Sequence, residues 1–416
     1  MEKVDVVVYG KSTPPSQFLA SLEDNLDFVN TIIVSENSPA KNVLKELEVP
    51  VKTVSGESKN CAAEKNKLIK QADTEYVLLL HTDFSLEEDL IEELLEELEE
   101  TQVDIVYPNL VVKSGNEEKV VNYPDLFNNE LTVLHALAVE DCLPESVLLF
   151  KRGLLESLGQ FDESYDEFDF YEYIYRNVKQ LKMKLASVSY AIYEPSSNFI
   201  DTSYRSYALR SVVLKNYNWE KDIFPFLSWD ENPKIAMATA LTMVGNRLST
   251  YYDYFNASEF YRKALMEFHN QETLRHLIKA YVDMGLFDEA EKLISKNHGM
   301  KDKEIEKFRF FTEKIKSLVE ELEKAVKQGK VVEVIAVLQE ITTFYSGAPI
   351  HNILGVIKWL ENKREEAFRF FYKAVTMNPI NEDYLYNLSE AAKFLKKEGE
   401  VLSLINRIVG YLEERR

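Results

Sequence analysis

The hydrophobic period of this 416-residue chain changes once, and that change limits what the chain can fold into. Up to about residue 195, short β-branched runs alternate with amphipathic stretches. Val4–Val8, Thr31–Val34, Val51–Val54, Tyr76–Leu80 and Val103–Tyr107 read as strands. Ser16–Leu26, Lys41–Glu48, Lys59–Ala72 and Leu86–Thr101 read as the helices between them. Such a series predicts an α/β domain with a mostly parallel sheet covered by helices. In these sheets ligands bind beyond the strand ends, so residues just after strands are the ones to watch. From Pro233 onward the strand signal vanishes and helical periodicity takes over. The expected division is a domain over 1–196, a connection over 197–232 and an all-helical domain over 233–416.

Composition narrows the function. Forty-nine basic against 70 acidic residues leave a formal charge of −21, which disfavours nucleic-acid partners. Cys61 and Cys142 stand far apart with no Cys-x-x-Cys spacing, which suits a reducing, cytoplasmic setting and gives no zinc framework. No stretch reaches the ~18–20 apolar residues of a transmembrane segment. The aromatic, proline-punctuated run Tyr217–Trp229 reads as a segment that packs one part of the protein on another.

The helical half repeats. Tyr252 and Gly285 are 33 residues apart, as are Gly329 and Asn362, and small residues follow in the same frame: Ala257 and Ala264, Ala290, Ala367 and Ala374. A period of 33–34 built from helix pairs resembles tetratricopeptide repeats, which implies a solenoid of four to five units. The longer step from Gly285 to Gly329 predicts an extended helix or insertion around Lys301–Lys316. Solenoids of this kind serve peptide docking and homodimer contacts alike.

The first half carries an ordered set of motifs. The helix containing Lys65-Asn66 precedes an apolar strand that ends in His81-Thr82-Asp83. Ile32–Ser38 combines a strand with the acidic turn Glu36-Asn37, and Leu148–Glu163 ends in Gly159-Gln160-Phe161-Asp162-Glu163. This order resembles the family 2 glycosyltransferases, enzymes of the A-type glycosyltransferase fold. The resemblance implies a nucleoside diphosphate sugar as donor and a divalent metal, Mn2+ or Mg2+, as cofactor. It implies that Asp83 binds that metal, with His81 standing where the family has its first aspartate; imidazole suits Mn2+ better than Mg2+. Lys65, where the family has arginine, and Asn66 would then contact the nucleotide, Glu36 and Asn37 the base and ribose, and Tyr9 and Gly10 would supply backbone contacts. On the residues alone, Asp83 also fits a helix N-terminus, since Ser85-Leu86-Glu87-Glu88 reads as a capping box.

An inverting transferase needs a carboxylate to take the acceptor hydroxyl's proton. Aligning on Arg176 puts Asp169 under the family's glutamate and Phe170 under its base, so the motif is displaced. Asp169 is the preferred base, with Glu167 and Glu172 as alternatives. A plainer reading has these acids solvating a helix that buries Phe168, Tyr171 and Tyr175. The resulting expectation is a transferase acting on a protein, peptide or glycan acceptor. The alternative is a non-catalytic scaffold with a degenerate transferase domain, favoured by His81 and Phe170.

Overall fold

The computed structural model describes residues 2–114, 117–123, 125–126, 134–136, 138, 147–165, 169–194, 201–297 and 303–413. The chain divides into two compact units: Met1–Ile200 with Val212–Ile223, and Asp201–Ser211 with Phe224–Arg416.

The first unit is built on a nine-stranded sheet: β1 Val4–Tyr9, β2 Val29–Ser35, β3 Val51–Val54, β4 Tyr76–His81, β5 Phe84–Leu86, β6 Ile105–Ser114, β7 Glu117–Val121, β8 Val147–Lys151 and β9 Met183–Tyr193. Its order is β3-β2-β1-β4-β8-β6-β9-β5, with β7 beside β6. Strands β3, β2, β1 and β4 run parallel, as do β6 and β9, but β8 is antiparallel to both β4 and β6, β5 to β9 and β7 to β6. The sheet is therefore mixed rather than mostly parallel. Apolar periodicity reports that a strand is buried, while its direction is set by where the preceding connection delivers it.

The helices of this unit are α1 Phe18–Glu23, α2 Lys41–Leu44, α3 Cys61–Ile69, α4 Leu90–Thr101, α5 Leu154–Ser157 and α6 Asp169–Asn177. Helix α4 buries Leu90, Leu94, Leu95 and Leu98 and leaves its acidic side outward. Its start corrects the sequence reading: Ser85 and Leu86 lie in β5 and the helix begins only at Leu90 after Asp89, so no capping box forms at Ser85.

The second unit is helical: α7 Ser203–Ala208, α8 Pro233–Thr250, α9 Tyr254–Glu267, α10 Gln271–Met284, α11 Phe287–Lys296, α12 Lys303–Lys327, α13 Val331–Ile341, α14 Ala348–Leu360, α15 Arg364–Met377, α16 Glu382–Leu395 and α17 Glu398–Glu413. From α8 onward the helices form hairpins, and each hairpin turns on one left-handed residue: Tyr252, Gly285, Gly329, Asn362 and Lys396. The residue after each donates its N–H to the carbonyl five positions back: Asp253 to Leu248, Leu286 to Tyr281, Lys330 to Ala325, Lys363 to Lys358 and Lys397 to Ala392. These are Schellman turns, which satisfy carbonyls that a helix end would otherwise orphan. Ala257, Ala264, Ala290, Ala367 and Ala374 are all fully buried. The irregular step is taken up by α12, 25 residues long. Side-chain contacts also draw the unit closed. Asn256 of the first hairpin donates to the Ile408 carbonyl of the last helix (3.0 Å), and a Cβ on Gly285 would lie 2.7 Å from Pro349. Helix α7 belongs to this unit, packing on α17.

Candidate functional site

The parallel set β2-β1-β4 brings three turns to one edge of the sheet: Glu36-Asn37 after β2, Gly10 after β1, and Thr82-Asp83 after β4. Tyr9 and His81 are register partners, and their rings meet edge-on at 5.1 Å. Gly10 has φ +112°, and a Cβ there would lie 2.6 Å from both His81 Nε2 and Thr82 Oγ1, so glycine is the residue that fits. Thr82 also bonds Ser12 (2.7 Å), tying the turn after β1 to the end of β4. The Glu36 N–H bonds the Val54 carbonyl and continues the ladder, while the side chains of Glu36 and Asn37 are exposed.

His81 and Asp83 form a small unit of their own. His81 Nδ1 accepts the Asp83 backbone N–H at 3.1 Å, which leaves the proton of the neutral ring on Nε2. Burial pushes the imidazole pKa down to about 4, against the pull of the Asp83 carboxylate 3.8 Å away, with Lys65 lowering it further. At neutral pH the ring is uncharged. Among the described residues Asp83 Oδ1 is buried and meets no hydrogen-bond donor. A buried carboxylate oxygen without a donor suits a cation. The fit is partial, because His81 Nδ1 is already occupied by the backbone, and no cluster of three or more metal-ligating side chains occurs among the described residues.

Helix α3 presents a second layer. Asn60 caps it by accepting the Ala63 N–H. Its amide nitrogen reaches the carbonyls of Glu163 (2.7 Å) and Tyr165 (3.2 Å). Asn66 binds Phe161 at both ends, donating to its carbonyl (2.9 Å) and accepting its N–H (3.0 Å). Lys65 Nζ lies 2.6 Å from Asp169 Oδ1, and both side chains are buried. Burial opposes the ammonium charge, but attraction to Asp169 outweighs it and holds Lys65 above its ordinary range. The same Nζ sits 4.7 Å from the Tyr9 ring and 5.3 Å from that of Phe161. Glu172 is ion-paired with Arg176 (2.8 Å), which also donates to the Gln160 carbonyl (2.9 Å). Burial raises the Glu172 pKa in spite of that arginine.

The candidate residues therefore fall into two groups. Tyr9, Gly10, His81 and Asp83 gather at the strand ends, and Glu36 and Asn37 lie at the end of the neighbouring strand. Lys65, Asn66, Asp169 and Glu172 are engaged in holding the segment Gly159–Tyr165 and helix α6 against α3. Glu167 lies outside the described residues. The sequence reading missed Asn60 and Glu64. Asn60 was legible as an N-cap, but its reach to Tyr165 spans 105 positions. Glu64 is a buried acid whose Oε2 accepts the Gly10 N–H at 3.4 Å and whose pKa burial raises; a glutamate on a short helix gives no local sign of this.

Residues 6–185 match the family model described as Glycosyl transferase family 2. The matched stretch lies within the sheet unit. No curated protein sequence matches the chain. Among solved structures, S. aureus TarS 1-349 aligns at 11% identity and TM-score 0.43, covering 64% of this chain and 89% of that one. Its complex with UDP-GlcNAc aligns at 13% identity and TM-score 0.42, covering 79% and 92%. No helix among the described residues is long and apolar enough to cross a membrane.

Proposed function

We propose that residues 1–196 form a glycosyltransferase domain of the A-type fold that moves a sugar from a nucleoside diphosphate sugar to a protein or glycan acceptor. The observation that carries this reading is the family match over residues 6–185. The strand-end cluster supports it, because the match runs through β2, β1 and β4, whose ends hold the cluster. In this proposal Glu36 and Asn37 meet the base and ribose, Tyr9 and Gly10 back the nucleotide, and Asp83 Oδ1 holds a divalent cation, Mn2+ or Mg2+. Such a cation, when bound, neutralises charge on the departing diphosphate. His81 is assigned to orienting the Asp83 backbone rather than to ligation, since its Nδ1 is used. Lys65 and Asn66 are assigned as positioning residues for the Gly159–Tyr165 segment rather than as nucleotide contacts.

The proposed transfer is inverting: the acceptor hydroxyl oxygen bonds to the anomeric carbon, the bond from that carbon to the diphosphate breaks, and a carboxylate takes the hydroxyl proton. Asp169 and Glu172 are each committed to a cation, Lys65 and Arg176, so the base is assigned to Glu167. The helical unit is read as tetratricopeptide-like, on the strength of its repeated Schellman turns, and as the part that engages the acceptor in a cytoplasmic setting.

Calorimetric titration of the full chain with UDP, GDP, CDP and ADP, with and without Mn2+, tests the donor site. Binding that Asp83→Asn makes metal-independent is the expected result; no heat with any of them would sink the reading. Glu167→Gln is expected to remove turnover and keep nucleotide affinity. The scaffold reading is favoured by the ion pairing of Asp169 and Glu172, and it requires that no nucleotide binds at all.

A further inference from the structure

Helix α3 buries three polar side chains in succession, Glu64, Lys65 and Asn66, and two of them are matched closely, Lys65 by Asp169 and Asn66 by Phe161. Glu64 differs. It is 7% exposed, it forms no ion pair among the described residues, and the donor its carboxylate receives is the Gly10 N–H, 3.4 Å from Oε2. Lys11, Lys65 and Lys67 stand beyond ion-pair distance and do not offset its burial, which keeps its pKa raised. Burying a carboxylate without a counter-ion opposes folding, and such groups gather where a site needs them.

What Glu64 holds is the turn after β1. Gly10 stands at φ +112°, a conformation that glycine adopts readily but does not keep by itself, because it reaches many others at little cost. Its N–H is buried and has no other acceptor among the described residues. Three bonds pin this turn. The Thr82 N–H reaches the Tyr9 carbonyl (2.9 Å) and the Ser12 and Thr82 hydroxyls meet (2.7 Å), both tying the turn to the end of β4; the bond from Gly10 to Glu64 ties it to α3. At 3.4 Å that bond is long, but the acceptor's charge and the low dielectric around it strengthen it.

We propose that Glu64 is a positioning residue of the donor site: by accepting the Gly10 N–H it keeps the turn after β1 in the conformation that backs the nucleotide, without touching the nucleotide itself. This rests on the donor-site reading above. The role asks for an oxygen acceptor at the reach of a glutamate side chain. Glutamine meets that demand. Leucine fills the space without an acceptor, and aspartate keeps the charge but draws its oxygens back by one methylene from a bond that is already long.

Hydrogen exchange at the Gly10 amide of the full chain reads the hold itself. It is expected to speed up at least about tenfold in Glu64→Leu and Glu64→Asp, and to stay within about threefold of wild type in Glu64→Gln. Calorimetric titration with UDP, GDP, CDP and ADP in the presence of Mn2+ reads the consequence. The nucleotide that wild type binds is expected to bind the leucine and aspartate variants at least about tenfold more weakly, because the competent turn is then the minor conformer, and the glutamine variant within about threefold of wild type. Exchange or affinity that stays at the wild-type value in Glu64→Leu and Glu64→Asp overturns the proposal, as does a Glu64→Gln variant as impaired as they are. Those outcomes leave the donor-site reading standing, whereas a wild-type chain that binds none of the four nucleotides removes that reading and the proposal with it.

Discussion

In the sheet unit the buried Lys65–Asp169 pair joins α3 to α6, whereas in the helical unit the buried Arg407 is shared among Asp201 (2.9 Å), Tyr372 (2.7 Å), Ser203 (3.0 Å) and Ser403 (2.6 Å). The lysine has one strong partner and two aromatic rings; the arginine has a fork of donors, each met by an oxygen. Arg407 works with Arg210, Asp253 and Asn256 to hold the chain's last helix to its first hairpin and to α7. Lys65 sits instead behind the strand-end cluster, in contact with Tyr9. One unit thus uses buried charge to close an array of like parts, and the other uses it to fix two helices behind the strand-end cluster. A guanidinium with several acceptors should tolerate the loss of one of them; a buried carboxylate should not tolerate the loss of the ammonium that faces it.

The largest effect expected from that difference is at Lys65. Lys65→Ala removes the buried ammonium that faces Asp169 and is expected to cost about 3–5 kcal/mol, while replacing both residues by apolar ones of similar volume, Lys65→Met with Asp169→Leu, is expected to restore most of it. Removing one partner of Arg407, by Ser403→Ala, is expected to cost only about 1 kcal/mol. Urea unfolding of the three variants checks the contrast, and equal losses for Lys65→Ala and Ser403→Ala would break it.

Protons offer a second probe, this time of the helical unit. Burial, reinforced by Lys373, pushes the His351 pKa down to about 3, with Ser346 pulling the other way. Its folded pKa is below the unfolded value, so the unfolded chain binds the extra proton first as pH falls. The stability contribution is complete above pH 6.5 and is lost progressively below it, by about 2 kcal/mol at pH 5. Calorimetric scans at pH 7 and 5 should show the helical unit losing that much more in wild type than in His351→Phe; parallel losses would remove His351 from the account.

How much of each unit was legible in the sequence follows the same division. The hairpin turns were readable because a Schellman turn is local: Tyr252, Gly285, Gly329 and Asn362 stood out by spacing alone, and the structure adds Lys396 as the fifth. The first strands and the strand-end positions of Tyr9, Gly10, His81 and Asp83 were readable for a similar reason, since a β-branched run followed by a polar turn marks where a parallel strand stops. The antiparallel entry of β8 and the partners of Lys65, Asn66 and Asp169 were not. Those contacts join positions 95 to 104 residues apart, and nothing near Lys65 distinguishes an ammonium facing a ligand from one facing a carboxylate.

The smaller predictions separate crowding from backbone strain within the hairpins. Gly245 and Gly355 each lie under an aromatic of the following helix, where a Cβ would come within 2.5 Å of Tyr261 or Phe371. Alanine at either position gains helix propensity but forces the ring aside, for a net loss of about 1–2 kcal/mol. At the turns the balance reverses. Among the described residues a Cβ at Gly329 meets nothing within 4 Å, so what a side chain costs at an open turn is the left-handed backbone itself, and Asn362 and Lys396 hold φ near 60° with side chains in place. Lys396→Gly is expected to stabilise by somewhat under about 1 kcal/mol, because relief of the strain is offset by the extra freedom glycine has when unfolded. Asn362→Gly should gain less, since asparagine tolerates this conformation better than lysine does. If both variants lose stability instead, the turns are held by their side chains rather than by the backbone bond from Lys397 to Ala392 and its counterpart from Lys363 to Lys358.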